Sequence, residues 1–515
     1  MNSLEIKDKM TKFNVLLGRA KFSAKDYQCE GIEWCLKKEL AQEKVKGGIV
    51  ADEMGLGKTM TLIGLMFVNF KRRTLIVVPP VLLDQWAKEI FKCSGHKALK
   101  YHGQNKKNIT EEELMKAPIV LTTYNMLLSD KRLESDKRPE SDKRPENNNN
   151  MLAKIKWNRL IFDEAHHLRN KRTERYSSCE KIKAEIKWLI SGTPIQNKRS
   201  DLYNLFRIIG IKNVNQDNVK EVAEKYILRR TKAEVGINLP PVIKEDRQVQ
   251  WTNRHEQQMS EELHSLLPNQ TNVFKTSSSE IADLFEGKGI LTAIMKARQS
   301  CIMPALLIPD IREPINNGEF EEPQNYVRAI KSSSKLDAVI NLILERKDNG
   351  NGKIIFCHFR NEIDAIAQRL IKGGLKKVVT YDGRNSRTGI NLADAADAIV
   401  LQIQTGCEGL NLQANFSEIY FVSPHWNPCV EDQAIARCHR IGQTKPTYVF
   451  KFAMTNFTKQ RESDKQQNEQ VEDEDNEDNE DDEDNEKQKQ EQSLESYVNK
   501  VQTLKRTIIG EVIRQ

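Results

Sequence analysis

The sequence predicts an α/β protein built as two parallel-sheet lobes with helical insertions between them. Short runs of β-branched and apolar residues alternate with helical stretches, which is typical of parallel strands joined by crossover helices. The runs form two sets of five on either side of a charged, helical middle at about 200–335. The predicted strands are 48–51, 75–79, 119–123, 160–163 and 188–191 in the first set, and 353–357, 378–381, 398–402, 418–421 and 448–452 in the second. At 515 residues the chain is also too long for one compact core.

Composition narrows the class of protein. Hydrophobic residues make up 38% of the chain and charged residues 30%, which is typical of a globular protein with some polar stretches. No apolar run reaches the roughly 18 residues of a membrane-spanning helix, and residues 1–10 do not resemble a secretory signal. The nine cysteines are scattered and form no Cys-x-x-Cys pair. That pattern argues against a zinc module or a disulfide framework and favours a reducing compartment.

Charge is distributed unevenly along the chain. Twelve acidic residues and no basic residue lie within 472–486, so removing this run from the formal net charge of +7 leaves about +19 on the remainder. A body this basic is consistent with a polyanionic partner such as nucleic acid. Residues 459–492 are predicted to be an acidic disordered linker, and its functional alternative is histone mimicry or competition with DNA for the basic cleft. A repeated hexapeptide followed by asparagines makes 129–150 a predicted disordered surface loop.

A phosphate-binding loop is predicted at 52–59, between an apolar strand and an apolar helix. Gly55 and Gly57 allow backbone N–H groups to curl around phosphate oxygens, and the helix presents its positive end to them. Lys58 is expected to neutralise the phosphates of ATP, and the Thr59 hydroxyl to bind Mg²⁺. The strict pattern has glycine at the first position, where this chain has aspartate. The candidate loop residues are Asp52, Glu53, Met54, Gly55, Leu56, Gly57, Lys58 and Thr59.

Adjacent carboxylates follow the predicted strand at 160–163. Asp163 is expected to hold Mg²⁺ through water, and Glu164 to orient and deprotonate the attacking water. A strand end with two acids is common by itself. It becomes a candidate hydrolytic site because the predicted phosphate loop lies about a hundred residues upstream.

The sequences DEMGLGKT and DEAH together resemble helicase superfamily two, and within it the Swi/Snf family of DNA-translocating ATPases. The resemblance covers nearly the whole chain and implies two RecA-like lobes. It implies that Gln28 reads adenine, and that 75–89 and 120–124 track a nucleic-acid strand. It also implies that 191–197 couples hydrolysis to lobe movement. The segments 228–232 and 239–241 resemble the family's lobe bridge, 291–304 its helical insertion, 333–344 its entry into lobe two, and 493–506 its C-terminal helix.

Two further segments resemble lobe-two signatures of the family. The resemblance at 406–412 places Gly409 among the nucleotide-binding residues, although Cys407 and Glu408 depart from the family pattern. The segment 432–443 resembles the final motif, with Gln433, Arg437 and Arg440 as catalytic candidates. Two arginines three apart on a helix share a face, and guanidinium groups can stabilise the charge that builds on the γ-phosphate.

The sequence therefore predicts an ATP-dependent translocase on double-stranded DNA that closes its lobes to hydrolyse ATP and does not separate strands. An RNA- or transcription-coupled ATPase and a non-catalytic scaffold are the alternatives. The predicted divisions are lobe 1 at 1–235, a bridge and helical insertion at 236–335, lobe 2 at 336–458, the linker at 459–492 and a C-terminal helix at 493–515. We expect a monomer that uses ATP and Mg²⁺. Chromatin or transcription proteins are expected as further partners. The compact form resembles Swi/Snf-like proteins of large DNA viruses, which leaves nucleus, cytoplasm and virus factory open as locations.

Overall fold

The computed structural model describes residues 5–11, 13, 25–128, 151–196, 198–267, 280–384, 396–406, 410–457 and 493–513. These residues form two parallel sheets, one of seven strands and one of six. The predicted α/β fold with two parallel-sheet lobes is confirmed. Lobe 1 denotes the seven-stranded sheet with the helices packed on it, and lobe 2 the six-stranded sheet with its helices. No helix in the described ranges combines the length and the apolar character needed to cross a bilayer.

The lobe 1 sheet has the strand order β3-β4-β2-β5-β6-β1-β7, with every neighbouring pair parallel. Its strands are β1 (Lys46–Val50), β2 (Thr74–Val78), β3 (Leu99–Tyr101), β4 (Ile119–Thr123), β5 (Trp157–Phe162), β6 (Ala184–Ile190) and β7 (Ile227–Leu228). Five of these match the predicted strands, whereas the short edge strands β3 and β7 were not predicted. Because all strands run the same way, their carboxyl ends share one edge of the sheet, where α/β proteins bind ligands.

The lobe 2 sheet has the order β10-β11-β9-β12-β13-β8 and is also parallel throughout. Its strands are β8 (Val242–Val249), β9 (Gly352–Cys357), β10 (Val378–Tyr381), β11 (Ala398–Gln402), β12 (Phe416–Phe421) and β13 (Thr447–Met454). The prediction of a helical middle at about 200–335 is wrong at β7 and β8, and β8 pairs with β13 along eight residues. This strand lies at the sheet edge with exposed charged side chains, so it lacks the continuous apolar run of a buried parallel strand.

Helices cover both faces of the sheets and fill the segment between them. In chain order they are α1 (Asp26–Leu40), α2 (Lys58–Val68), α3 (Leu83–Ser94), α4 (Glu111–Lys116), α5 (Met151–Lys154), α6 (Glu174–Glu180), α7 (Arg199–Ile209), α8 (Val219–Tyr226), α9 (Arg254–His264), α10 (Glu280–Asp283), α11 (Ile290–Ile302), α12 (Ile308–Asn316), α13 (Pro323–Ile330), α14 (Ser334–Glu345), α15 (Arg360–Lys372), α16 (Ile403–Gly406), α17 (Pro428–Ile435) and α18 (Leu494–Ile513). Helices α9, α10, α12 and α13 form a separate small core, with buried residues such as Leu263 and Ile311.

A buried ion pair fastens helix α1 to the lobe 1 sheet. The Arg159 side chain on β5 and the Glu39 side chain at the end of α1 are both fully buried. Arg159 Nε donates to Glu39 Oε1 at 2.6 Å, and Arg159 Nη2 also donates to the backbone oxygen of Asn69 at 2.6 Å. The carboxylate accepts two further hydrogen bonds, from Asn69 Nδ2 at 2.7 Å and Trp188 Nε1 at 2.9 Å. Since each charge is paired and hydrogen-bonded, the sheet tolerates them in its interior.

The C-terminal helix α18 packs against lobe 2 and also contacts α8 of lobe 1. Its buried Glu495 pairs with the fully buried Lys335 of α14 and accepts a hydrogen bond from Met454 N at 2.8 Å. Arg506 forms a two-pronged ion pair with Asp432 of α17, at 2.9 and 3.1 Å. The helix begins beside β13, because Ser493 Oγ donates to the backbone oxygen of Met454 at 3.1 Å.

Candidate nucleotide-hydrolysis site

The predicted phosphate loop lies at the carboxyl edge of the lobe 1 sheet, between β1 and the first turn of α2. Gly57 caps the helix in the left-handed region, with φ of 78°, and Gly55 has φ of 94°. Both conformations favour glycine, so the loop can direct its backbone N–H groups into the turn. Thr59 follows Lys58 in the first helical turn. The fully buried Leu56 anchors the loop.

Lys58 bends back over the loop that precedes it. Its Nζ donates to the backbone oxygens of Asp52 and Glu53, at 2.8 and 3.4 Å. A Cβ built on Gly192, in the segment after β6, would lie 3.4 Å from Lys58 Nζ and 2.8 Å from the Met54 side chain. Burial lowers the pKa of Lys58, and nearby carboxylates oppose that shift. The ammonium therefore lies where the segment after β6 meets the phosphate loop.

Gln28, on α1, also reaches the phosphate loop. Its Nε2 donates to the backbone oxygen of Leu56 at 3.3 Å, and its Oε1 accepts from the backbone N–H of Lys25 at 3.1 Å. A Cβ built on Gly57 would lie 2.6 Å from Gln28 Nε2, so any larger residue there would collide with this side chain. The structure thus places Gln28 against the loop, and its reading of adenine stays a prediction.

Asp52 and Glu53, predicted as nucleotide-binding, direct their side chains toward the lobe-bridging segment. The fully buried Asp52 carboxylate accepts from Arg230 Nε at 3.1 Å and Nη2 at 2.6 Å. Glu53 accepts from Lys232 Nζ and from Lys232 N, both at 2.8 Å. Burial opposes ionisation of Glu53, but its bonds to Lys232 outweigh burial and hold the pKa below its usual value. These two side chains therefore anchor the loop to the lobe-bridging segment, while their backbone oxygens contact Lys58, and the role of both residues in nucleotide binding stays a prediction.

Asp163 and Glu164 directly follow β5, two strands from the phosphate loop in the sheet. Asp163 Oδ2 accepts from Trp86 Nε1 at 2.6 Å, and Asp163 Oδ1 accepts from Glu164 N at 2.9 Å. The Tyr124 hydroxyl donates to the backbone oxygen of Asp163 at 2.6 Å. Sequence reasoning missed Trp86 and Tyr124 as supports, although both lie in segments assigned to strand tracking. Glu164 adopts a left-handed conformation with φ of 47°, which is uncommon for a non-glycine residue and typical of functional sites.

The two carboxyl groups differ in their electrostatic surroundings. Burial and the neighbouring Glu164 raise the pKa of Asp163 well above its usual value. Burial also opposes ionisation of Glu164, but His166, Arg437 and Lys58 outweigh it and hold the Glu164 pKa low. His166 Nδ1 lies 3.2 Å from Glu164 Oε2, yet the geometry does not make a hydrogen bond, and this buried oxygen has no hydrogen-bond partner within the described part of the chain.

This donor set fits a magnesium ion and its water. Mg²⁺ prefers oxygen ligands from one or two protein groups together with water and phosphate oxygens. The Thr59 hydroxyl and the Asp163 carboxylate supply such oxygens, and the unsatisfied Glu164 Oε2 can accept from a water molecule. Both predicted metal-binding residues are thus of a suitable chemical type.

Lobe 2 brings its arginines to the phosphate loop. A Cβ built on Gly55 would lie 3.4 Å from Arg440 Cβ, so the backbone of this turn packs directly on the loop. Burial lowers the pKa of Lys58 and His166 lowers that of Glu164, and the positive charge of Arg437 lowers both further. Burial and the neighbouring Arg437 lower the pKa of Arg440. The predicted meeting of the two lobes at the phosphate site is present in the structure.

The helical placement of these arginines was wrong. Helix α17 ends at Ile435, and both arginines lie in the tight turns that follow it. His439 N donates to the Ile435 oxygen at 2.8 Å, and Arg440 N donates to the Cys438 oxygen at 3.1 Å. The turn places the arginines by these local hydrogen bonds rather than by helical spacing.

Polar contacts join the two lobes beside the arginines. Gln433 Nε2 lies 3.5 Å from Thr193 Oγ1, in the segment after β6. Asn427 Nδ2 donates to Gln196 Oε1 at 3.0 Å. Thr193 and Gln196 belong to the segment predicted to couple hydrolysis to movement, and the structure brings them to lobe 2. Gly409 and the linker at 459–492 lie outside the described residues, as does the repeat loop at 129–150.

Two sequence families match successive parts of this chain. The SNF2-related domain matches residues 27–219, and the helicase conserved C-terminal domain matches residues 334–442. Together they cover more than half of the chain and contain the residues of the site in both lobes. The chain is an SNF2-related ATPase. Its activity is ATP-dependent.

Similar proteins come from distant sources. A probable global transactivator of Orgyia pseudotsugata multicapsid polyhedrosis virus is 28% identical over 450 residues, which cover 83% of the SNF2-related ATPase and 85% of the viral protein. An uncharacterized ATP-dependent helicase of Mycoplasma genitalium is 29% identical, over 86% of this chain and 41% of its own length. Human chromodomain-helicase-DNA-binding protein 1 is 27% identical, over 84% of this chain and 26% of its own length.

The SNF2-related ATPase thus spans most of the viral relative but less than half of the mycoplasma relative. Among solved structures, the Sulfolobus solfataricus SWI2/SNF2 ATPase core in complex with dsDNA is 23% identical, covers 84% of this chain and 88% of that one, and has a TM-score of 0.37.

The eight cysteines in the described segments are free thiols.

Proposed function

We propose that this SNF2-related ATPase uses ATP hydrolysis to move along double-stranded DNA without separating the strands. The single observation that carries the proposal is the packing of the arginine-bearing turn of lobe 2 on the phosphate loop of lobe 1. Because the site needs groups from both lobes, hydrolysis and lobe movement become one event. A cycle of opening and closing can then advance the enzyme along a polymer.

Lobe 1 binds and orients the triphosphate. Backbone N–H groups of the loop around Gly55 and Gly57 surround the phosphate oxygens, and Lys58 neutralises their charge. To do so its ammonium exchanges the backbone oxygens that it now contacts for phosphate oxygens. Mg²⁺, when bound at Thr59 and Asp163, supplies further positive charge to the phosphates.

Glu164 is the proposed residue for the attacking water. Its unsatisfied, ionised carboxylate can accept a proton of that water and hold its oxygen in line with the γ-phosphate. Arg437 and Arg440 approach from lobe 2 and stabilise the charge on the transferring phosphoryl group, an effect typically worth about 10³–10⁵ in rate. Release of phosphate removes this attraction and lets the lobes separate.

Duplex DNA is the proposed track because of charge and of relatives. The chain outside its acidic run carries a net charge of about +19, from +7 overall and twelve acids within 472–486. A basic surface of this size favours the phosphate backbone, which gives binding that tolerates sequence and weakens with salt. The human relative is named as a DNA-binding protein. Nuclear, cytoplasmic and virus-factory locations are all compatible with this proposal.

The test compares nucleic acids as activators of the intact enzyme. We expect double-stranded DNA to stimulate ATP turnover more than single-stranded DNA or RNA, and the stimulation to fall steeply with salt. Directional movement is measured by displacement of a triplex-forming oligonucleotide, with a forked duplex as the control for unwinding. Stimulation by RNA alone would instead favour an RNA-coupled ATPase. Absence of turnover with every nucleic acid would favour a scaffold.

A further inference from the structure

The segment after β7 runs directly beside the phosphate loop. Ala51 N donates to the Leu228 oxygen at 2.7 Å, and Glu53 N donates to the Arg230 oxygen at 2.8 Å. These backbone bonds continue the pairing of β1 with β7 into the loop itself. The position of this segment therefore follows the position of the phosphate loop.

Lys232, two residues further along, is the point where this segment meets both lobes. Its side chain is 11% exposed, and its Nζ donates to Glu53 Oε1 at 2.8 Å. The same Nζ lies 3.4 Å from the backbone oxygen of His439, between the two arginines of lobe 2. A Cβ built on Gly55 would lie 3.5 Å from Lys232 Cε. One lysine thus touches the phosphate loop and the arginine-bearing turn.

A second contact supports the turn from the same segment. The Pro240 oxygen can only accept, so His439 Nε2 donates to it, at 2.9 Å. His439 therefore contacts the segment at two points, at Lys232 beside the phosphate loop and at Pro240 just before β8. Of the two contacts, only the one from Lys232 also reaches the phosphate loop, because its ammonium is shared with Glu53.

The chemistry of Lys232 differs from that of Lys58. Glu53 contacts the ammonium of Lys232 and also accepts its backbone N–H, so the charge is largely neutralised. A lysine neutralised in this way is a weak phosphate ligand. It is well suited to hold two segments together, since its ammonium can bridge a carboxylate and a carbonyl oxygen. Lys232 thus has one partner in lobe 1, the Glu53 carboxylate, and one in lobe 2, the backbone oxygen of His439.

We propose that Lys232 is a positioning residue for hydrolysis, whose ammonium sets how the Arg437 and Arg440 turn seats on the phosphate loop. The inference rests on the proposed closing of the lobes during hydrolysis. Lys232 acts through the arginines rather than on the nucleotide. Its loss is therefore felt in the chemical step and not in the binding of nucleotide to lobe 1.

The test measures kcat, KM for ATP and Kd for a fluorescent ADP in Lys232→Met and Lys232→Arg. In Lys232→Met we expect kcat to fall on the order of tenfold, with Kd for ADP unchanged within about twofold. Lys232→Arg, which can still bridge a carboxylate and a carbonyl, should recover most of the rate. Lys225→Met is the matched control. Lys225 forms a 3.1 Å ion pair with Glu43, and this pair does not belong to the site.

The outcomes separate this inference from the proposed function. A raised Kd for ADP with unchanged kcat would show that Lys232 binds nucleotide, and a kcat equal to that of the unmodified enzyme would show that it does not position the turn. An Arg variant as slow as the Met variant would also overturn the inference. Failure of the proposed function appears instead in the unmodified enzyme, as turnover that duplex DNA does not stimulate.

Discussion

The buried Glu39–Arg159 pair gives a prediction whose size follows from its hydrogen bonds. In Arg159→Leu, the Glu39 carboxylate stays buried but keeps two donors, Asn69 Nδ2 and Trp188 Nε1. In Glu39→Leu, the guanidinium keeps only the Asn69 oxygen, and its Nη1 already has no hydrogen-bond partner among the described residues. Removing one partner of a buried ion pair typically lowers the free energy of unfolding by about 3–5 kcal/mol. We expect a loss in this range for both variants, with the larger loss in Glu39→Leu.

The double variant should be less damaged than the two single losses combined. Replacing both charges removes the uncompensated one and leaves only the neutral donors and acceptors around it unsatisfied, at about 1–3 kcal/mol each. We therefore expect a coupling of at least about 2 kcal/mol between Glu39→Leu and Arg159→Leu. The functional consequence concerns α1, because this pair fastens the helix that carries Gln28.

Scanning calorimetry of the intact chain provides the assay. For a lobe of this size, about 3–5 kcal/mol corresponds to a fall of roughly 6–20 °C in the midpoint of its unfolding transition. Lys46→Ala is the control, because its ion pair with Glu185 at 2.9 Å is partly exposed and is expected to contribute less than about 1 kcal/mol. The reasoning would be refuted if each single variant lost no more stability than Lys46→Ala. It would also be refuted if the double variant lost as much as the two single variants combined.

Three further predictions concern the site and the C-terminal helix. Arg437→Ala should lower kcat by about 10³–10⁵ with ADP affinity retained, and a loss below tenfold would remove this arginine from the transition state. Lys58→Ala should abolish turnover together with tight ATP binding, whereas Glu164→Gln should bind ATP and not cleave it; equal loss of binding in both would contradict the division of roles. Burial lowers the pKa of His264 to about 4, so the folded chain resists a proton that the unfolded chain accepts. Stability should fall by roughly 3 kcal/mol as pH drops from about 6.5 to 4, because the ring must stay neutral to accept the Leu494 N–H at 3.1 Å. His264→Asn should show a smaller pH effect in thermal unfolding, and an unchanged effect would count against this assignment.

Runs of apolar and β-branched residues were sufficient to predict ten of the strands, because a parallel strand buried on both faces must be a continuous apolar run. β2, with the sequence TLIVV, is such a run and is buried at every position. β8 has the sequence VIKEDRQV, and only its last residue is buried. Its place at the sheet edge comes from pairing with β13, some 200 residues away, and no local pattern reports that.

The residues of the site were predicted better than their partners. Lys58, Glu164 and Arg437 lie near enough to shift one another's pKa values, and their catalytic roles stay predictions. By contrast, the loop motif gave no sign that Asp52 would turn to Arg230, because the two are 178 residues apart. The end of α17 was also missed, since the arginines fit a helical spacing as well as they fit a turn.

Because α18 starts beside β13, the described residues on either side of the acidic stretch, Phe457 and Ser493, belong to neighbouring parts of lobe 2. Ser493 forms hydrogen bonds with Met454 and Asn456, so the 35 residues from 458 to 492 connect two points that already lie close together. The position of α18 therefore does not depend on their number. Shortening a connection between two such close points fourfold would change the free energy of closing it by only about 1 kcal/mol. A trimmed chain with a short glycine–serine splice should retain its docked helix, which gives crystallographers a simpler molecule with the same catalytic halves.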